Sequence, residues 1–173
     1  MMLKTRDRCV MSALEWFESV RSEGERLERA RQSLAMLESR IAPHSQGFEP
    51  MGHGGGGSDR MLAHAMLSDR LGQLQAQLPE LERRHRAKLE RATDVLYGRS
   101  GNGGLAKVAK RRGATYLEEA DMLCLHYLQG EGWASVARRF EPETTNLTVW
   151  CKRRAKLACR QIDRIGMDAL ADS

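Results

Sequence analysis

The chain has 173 residues, of which 5% are aromatic and 29% charged, and its formal net charge is +5. Few aromatics and many charges exclude one large aromatic-rich core and fit amphipathic helices that bury narrow seams of Leu and Ala, so the fold class read is all-α. No apolar run approaches the roughly 20 residues that span a bilayer, and the N-terminus lacks the continuous apolar core of a signal peptide, which points to a cytoplasmic protein.

Val10 to Ile41 reads as one long helix. Ala13, Val20, Leu27, Leu34 and Ile41 recur seven apart, Trp16, Ala30 and Leu37 stand at the three-residue offset, and the seam breaks at Glu23. Between them lie Arg26, Glu28, Arg29, Arg31, Glu38 and Arg40, mixed charges that solvate an exposed helix face. Pro43 closes the helix, and residues 44–58, with six glycines and one proline, are too poor in apolar area to offset their ordering entropy and read as a flexible loop.

A second helix is expected from Ser58 or Asp59, either of which can cap it, to about Tyr97. Its seam is Leu67, Leu71, Leu74, Leu78, Leu81, His85, Ala92 and Val95. Pro79 removes one backbone donor inside it, so a break or a kink is expected there, and the continuing seam favours a kink. Two such helices joined by a loop make a long antiparallel, coiled-coil-like hairpin over residues 1–98, suited to homo-oligomerisation or to packing on the rest of its own chain.

The glycine cluster after Tyr97 marks a boundary, and 99–115 reads as a basic linker. Lys107 follows glycines, but G-x-x-x-x-G-K-[ST] is not satisfied and no strand precedes it, so no nucleotide or other cofactor is expected. Lys110, Arg111 and Arg112 either touch phosphates or form a solvated helix end.

Residues 116–173 carry the informative pattern. A helix from Tyr116 to Gln129 turns Leu117, Ala120, Leu123, Cys124, Tyr127 and Leu128 to one face and stops at Gly130 and Gly132. Trp133, Val136, Ala137 and Phe140 recur at helical spacing in a second helix, with the small Ala137 where a crossing helix must approach closely. After a turn at Glu141–Thr144, Thr144 or Thr145 can cap a third helix reaching Ile162 or beyond. Its inward stripe is Leu147, Trp150 or Cys151, Ala155, Ala158 and Ile162, which leaves Asn146, Thr148, Lys152, Arg153, Lys156 and Arg160 outward. Small polar groups at the first turn followed by cations suit major-groove insertion, so Thr145, Asn146, Thr148, Lys152, Arg153 and Lys156 are the candidate DNA contacts. Arg138 joins Lys110, Arg111 and Arg112 as a candidate phosphate contact. From Arg99 to Arg160 there are 12 Lys/Arg against 6 Asp/Glu, so the positive excess is concentrated here. Glu141 and Glu143 oppose it, lying where phosphates would pass.

Tyr127, Gly130, Trp133, Val136, Ala137, Thr148, Val149, Arg153 and Ala155 follow a scheme of an aromatic-rich helix, a glycine, a tryptophan, a short helix with Val-Ala and a helix opening on Thr-Val. In this the segment 116–170 resembles the C-terminal module of phage-encoded regulators of the ArpU/RinA type, itself similar to region four of sigma factors. The resemblance implies a transcriptional regulator of prophage type that binds double-stranded DNA, with RNA polymerase as a further candidate partner. The sequence departs from the scheme at Glu141-Pro142-Glu143. The alternative is a phage assembly or packaging accessory, or a polymerase-binding adaptor, using the same module on protein.

No catalytic constellation is expected. His44, His53, His64, His85 and His126 are scattered, and Cys9, Cys124, Cys151 and Cys159 form no C-x-x-C pair and read as reduced packing residues, with no metal site. The chain is therefore read as a non-enzyme.

Overall fold

A computed structural model describes residues 11–41, 57–110, 113–140 and 147–173, with the backbone alone for 57–60. The described residues are all-α, and their sole β feature is an isolated antiparallel bridge between Ala109 and Thr115. The helices are α1 (Ala13–Ile41), α2 (Gly57–Tyr97), α3 (Gly104–Lys107), α4 (Leu117–Leu123), α5 (Trp133–Phe140), α6 (Leu147–Ile165) and α7 (Met167–Ala171). Helix α4 runs on into a single wider turn of π type, Cys124–Leu128. None of these helices is long and apolar enough to cross a membrane.

Helix α1 begins at Ala13, later than the expected Val10, which lies outside the described residues. Ser12 stops it from starting sooner. The Glu15 carboxylate accepts the Ser12 backbone N–H at 2.9 Å while the Ser12 hydroxyl accepts the Glu15 N–H at 3.3 Å, a reciprocal capping box. The hydrogen bonds that the Glu15 carboxylate accepts from the Ser12 backbone N–H and from its hydroxyl, each at 2.9 Å, hold that carboxyl below its usual pKa. Helix α2 starts at Gly57 and is unbroken through Pro79. The loop expected at 44–58 and Pro43 otherwise lie outside the described residues.

The first two helices pack closely as an antiparallel hairpin, and the described chain divides into two compact units. The first comprises residues up to Gly24 together with His85–Ser173; the second is Glu25–Arg84. In the second unit Leu27 and Leu37 are buried, and the α2 seam of Leu67, Leu71, Leu74, Leu78 and Leu81 is half-buried. The flanks pair by charge: Arg31 donates to Glu82 at 2.7 Å, and Glu80 accepts from Arg83 and Arg84 at 2.9 and 2.6 Å. Hydrogen bonds from those two arginines pull the Glu80 carboxyl down to about 2.

The first unit has its main core where the start of α1 and the end of α2 meet the C-terminal helices. Ala13, Phe17, Val20, Ala92, Val95 and Leu96 bury together with Ala120, Leu123, Tyr127, Ala155, Ala158 and Ile162. Residues on both sides of the segment read as a linker thus share one core. That segment joins it as well, because Leu105 and Ala106 of α3 are buried. Phe17, absent from the heptad reading, is fully buried, while Trp16 is partly buried and packs against the core from outside, the two rings 5.1 Å apart edge-on. Leu117 is half exposed rather than part of the inward face of α4.

A smaller core of Met122, Val136, Ala137, Leu147 and Cys151 joins α4, α5 and α6. Ala137 is 2% exposed, so a larger side chain has no room in this cluster. The helices α5 and α6 follow one another in helix-turn-helix order. Gly166, at φ +96, ends α6 in the left-handed region, and the chain turns into α7.

Candidate nucleic-acid interface

Helix α6 is amphipathic with the period of an α-helix. Leu147, Cys151, Ala155, Ala158 and Ile162 are buried, so Cys151 and not Trp150 supplies the inward position of the second turn. Trp150 is turned out and 37% exposed. Thr148 is half-buried at the edge of the helix, and Lys152, Arg153, Lys156 and Arg160 are exposed. These four cations recur at spacings of one, three and four, which places them on one face over about 12 Å of axis. None of the four side chains makes a hydrogen bond or ion pair with a described residue. The sole acid of α6, Asp163, accepts the backbone N–H of Ala13 at 2.7 Å.

The neighbouring cations behave differently. Arg154, next to Arg153 but about 100° round the helix, donates from Nε to Glu119 at 2.7 Å and from its terminal nitrogen to Glu118 at 2.6 Å. Its guanidinium lies 4.5 Å from the centre of the Trp150 ring. Burial alone would lower its pKa, but the hydrogen bonds it donates to Glu119 and Glu118 outweigh that and hold it above its usual value. Glu119 is 5% exposed and also accepts Lys110 Nζ at 2.5 Å, while that ammonium sits over the Tyr116 ring. Lys110, a candidate phosphate contact, is therefore seated in an internal ion network. Arg138, the candidate on α5, is exposed and bonds through Nε to the Ala134 carbonyl, while the adjacent Arg139 is paired with Glu131. Thr145, Asn146, Arg111, Arg112 and the turn at Glu141–Thr144 lie outside the described residues.

The sequence separated free from committed cations poorly, because the run Lys152-Arg153-Arg154 reads as uniformly basic. A signal was available. Arg154 is three residues after Cys151 and one before Ala155, so it borders the buried stripe, and Glu118-Glu119 open the helix that packs there.

Behind α5 a second polar cluster is structural. His126 is 8% exposed and stacks on Trp133 at 3.9 Å, its Nδ1 lying 2.7 Å from the Glu131 carbonyl and an Arg21 nitrogen 2.8 Å from the ring nitrogens. Tyr97 donates its hydroxyl to Asp121 at 2.7 Å; burial, then that hydrogen bond, pushes its pKa up. Cys159 is buried, and burial, with the charges of Asp163 and Glu18 adding to it, pushes its thiol up to about 12. Such a thiol is protonated at neutral pH and a poor nucleophile or ligand. Among the described residues no group of three His, Cys, Asp or Glu is placed to hold a metal ion, and Cys124, Cys151 and Cys159 are not in disulfides.

What the described geometry offers is one exposed, unpaired cationic face on a helix held by two cores. No protein-family model, curated protein or solved structure matches the chain.

Proposed function

We propose that residues 116–173 form a sequence-specific double-stranded DNA-binding module of a prophage-type transcriptional regulator, with α6 as its recognition helix. One observation carries this reading: Lys152, Arg153, Lys156 and Arg160 stand exposed on one face without an acidic partner among the described residues, whereas Arg154, Lys110 and Arg139 are paired. Four exposed cations along about 12 Å of helix repel one another, and a polyanion of matching spacing removes that penalty by releasing its own counterions. The major groove, about 12 Å wide, admits a helix of this diameter. Thr148 lies at its leading turn, with Arg138 on α5 as a flanking phosphate contact. The likeness of 116–170 to the ArpU/RinA type supports the transcriptional part of the reading.

The hairpin supplies assembly. Met36, Met61, Leu62 and Met66 are between 59% and 77% exposed, and these are the hairpin's apolar side chains that a second copy would bury. A cytoplasmic setting accords with free thiols.

Duplexes enriched from a random pool by the full chain supply the probe, and fluorescence anisotropy at several salt concentrations reads the affinity. Binding is expected to weaken linearly in log affinity against log salt. Replacing Lys152 and Arg153 by Ala should reduce the slope by about 2, roughly one per lost phosphate contact. Absence of any enriched duplex, or a slope untouched by the substitutions, overturns the proposal. A second reading, an adaptor for RNA polymerase or a packaging accessory, is favoured by one feature: Trp150 and Leu157, 37% and 49% exposed, flank the cationic face. Capture of purified polymerase that Trp150→Ala abolishes and Lys152→Ala spares would select it.

A further inference from the structure

Val149 is 65% exposed, more than any other large apolar side chain described on α3 to α7. It sits at the first turn of α6, in line with Arg153, Lys156 and Arg160 at i+4, i+7 and i+11, at the N-terminal end of the cationic face. The fold does not use it, since neither core includes it. A β-branched side chain also lowers helix propensity at an exposed position. Any polyanion that the flanking cations hold must desolvate this isopropyl group.

Resting on the DNA-binding reading above, we infer that Val149 is a specificity residue that packs against the 5-methyl group of a thymine. Base edges in the major groove present hydrogen-bond donors and acceptors at every position, and the thymine methyl is the one apolar group among them. A hydrocarbon side chain cannot satisfy those polar edges and leaves them unpaired at a cost, so it discriminates in favour of the methyl. The cations that follow Val149 along the helix fix its height over the groove through the phosphates, which carry no sequence information themselves. The site bound should therefore contain a thymine at the position under the first turn of α6.

The test uses the full chain and a duplex enriched from a random pool. Each thymine in turn is replaced by uracil, which keeps every hydrogen bond and removes only the methyl. One such replacement is expected to weaken binding about three- to five-fold, the worth of one buried methyl. The Val149→Ala chain should bind thymine and uracil versions of that duplex equally, closing the double-mutant cycle, with far-UV circular dichroism unchanged because the residue is exposed. If every uracil duplex binds as well as its thymine parent while Lys152→Ala still weakens binding, this inference falls and the DNA-binding reading stands. If no duplex is enriched at all, both fall together.

Discussion

The carboxylate of Asp163, near the end of α6, accepts the backbone N–H of Ala13, the first residue of α1, at 2.7 Å. This bond spans 150 positions of sequence and satisfies one of the four donors that a helix start leaves open. The carboxylate's charge also opposes the positive end of the α1 dipole. It ties the hairpin to the helix whose outer face carries the exposed cations. Asp163→Ala should lower the unfolding free energy by about 1 kcal/mol, while Asp163→Asn, which keeps an acceptor, should lose less. Urea unfolding followed by circular dichroism measures both, and equal midpoints for wild type and Asp163→Ala would count against the contact.

The glycines after Tyr97 make a second junction. A Cβ on Gly103 would stand 2.2 Å from the Ser173 carbonyl oxygen, and one on Gly104, whose φ is +62, would meet the backbone nitrogens of Tyr97 and Gly98 at 2.5 Å. Gly101 has φ +74 but open space around it. Gly101→Ala should therefore cost only the left-handed penalty of about 1–2 kcal/mol. Gly104→Ala adds a backbone clash to a similar penalty and should be visibly worse. Thermal melts of the two variants side by side decide the matter; equal losses would mean the close approach is absent.

Much of this architecture was legible in the sequence. The α2 seam, the stops at Gly130 and Gly132, and the inward stripe from Leu147 to Ile162 follow from periodicity and breaker residues, and they are local properties. What was not legible is non-local. A seven-residue repeat selects Trp16 as readily as Phe17, and only the position of Tyr127, whose ring lies 5.8 Å from that of Phe17, makes Phe17 the core residue. The glycines 98–104 read as a breaker cluster because close backbone approach and flexibility leave the same composition. The wider turn at Cys124–Leu128 has no composition signal either; it brings His126 onto Trp133 and Tyr127 onto Phe17. Of the candidate DNA contacts, Lys152, Arg153 and Lys156 are on one exposed face, Thr148 is at its edge, and Lys110 is drawn inward by Glu119.

Two buried acids set the alkaline limit of stability. Burial pushes the Cys159 thiol from 9.0 to about 12 and the Tyr127 phenol from 10.0 to about 12. In the unfolded chain both release their protons near the lower values. Above pH 9 the unfolded state therefore binds fewer protons than the folded one, and the unfolding free energy falls as pH rises. The contribution is complete below pH 9 and is lost progressively up to about 12. Urea midpoints between pH 7 and 11 should decline beyond pH 9, and Cys159→Ala should flatten the first part of that decline. A thiol reagent at pH 8 should modify Cys159 only as fast as the chain unfolds, whereas the half-buried Cys124 can react sooner; rapid labelling at Cys159 itself, located by peptide mapping, would contradict its burial.

Arg153 and Arg154 give the sharpest separation of roles, because they are adjacent and chemically identical. The rotation of about 100° between them decides their fates. Arg153 is exposed and makes no ion pair with a described residue, so Arg153→Ala should leave stability within about 0.5 kcal/mol of wild type. Its effect belongs on the DNA side, as weaker binding and a salt slope reduced by about 1. Arg154 holds Glu119, which is 5% exposed and is otherwise left with Lys110 alone. Arg154→Ala removes one partner of a buried pair and should destabilise the chain by up to about 3 kcal/mol. It also strips the cation from the Trp150 ring, which should shift the tryptophan emission. Glu119→Gln adds a cross-check: it neutralises the acid that holds Lys110, so it should destabilise the fold and also raise the salt slope of DNA binding as that ammonium becomes available to phosphate. If Arg153→Ala proves the destabilising change and Arg154→Ala the DNA-binding one, the orientation of α6 is wrong, and with it the face on which the DNA-binding proposal rests.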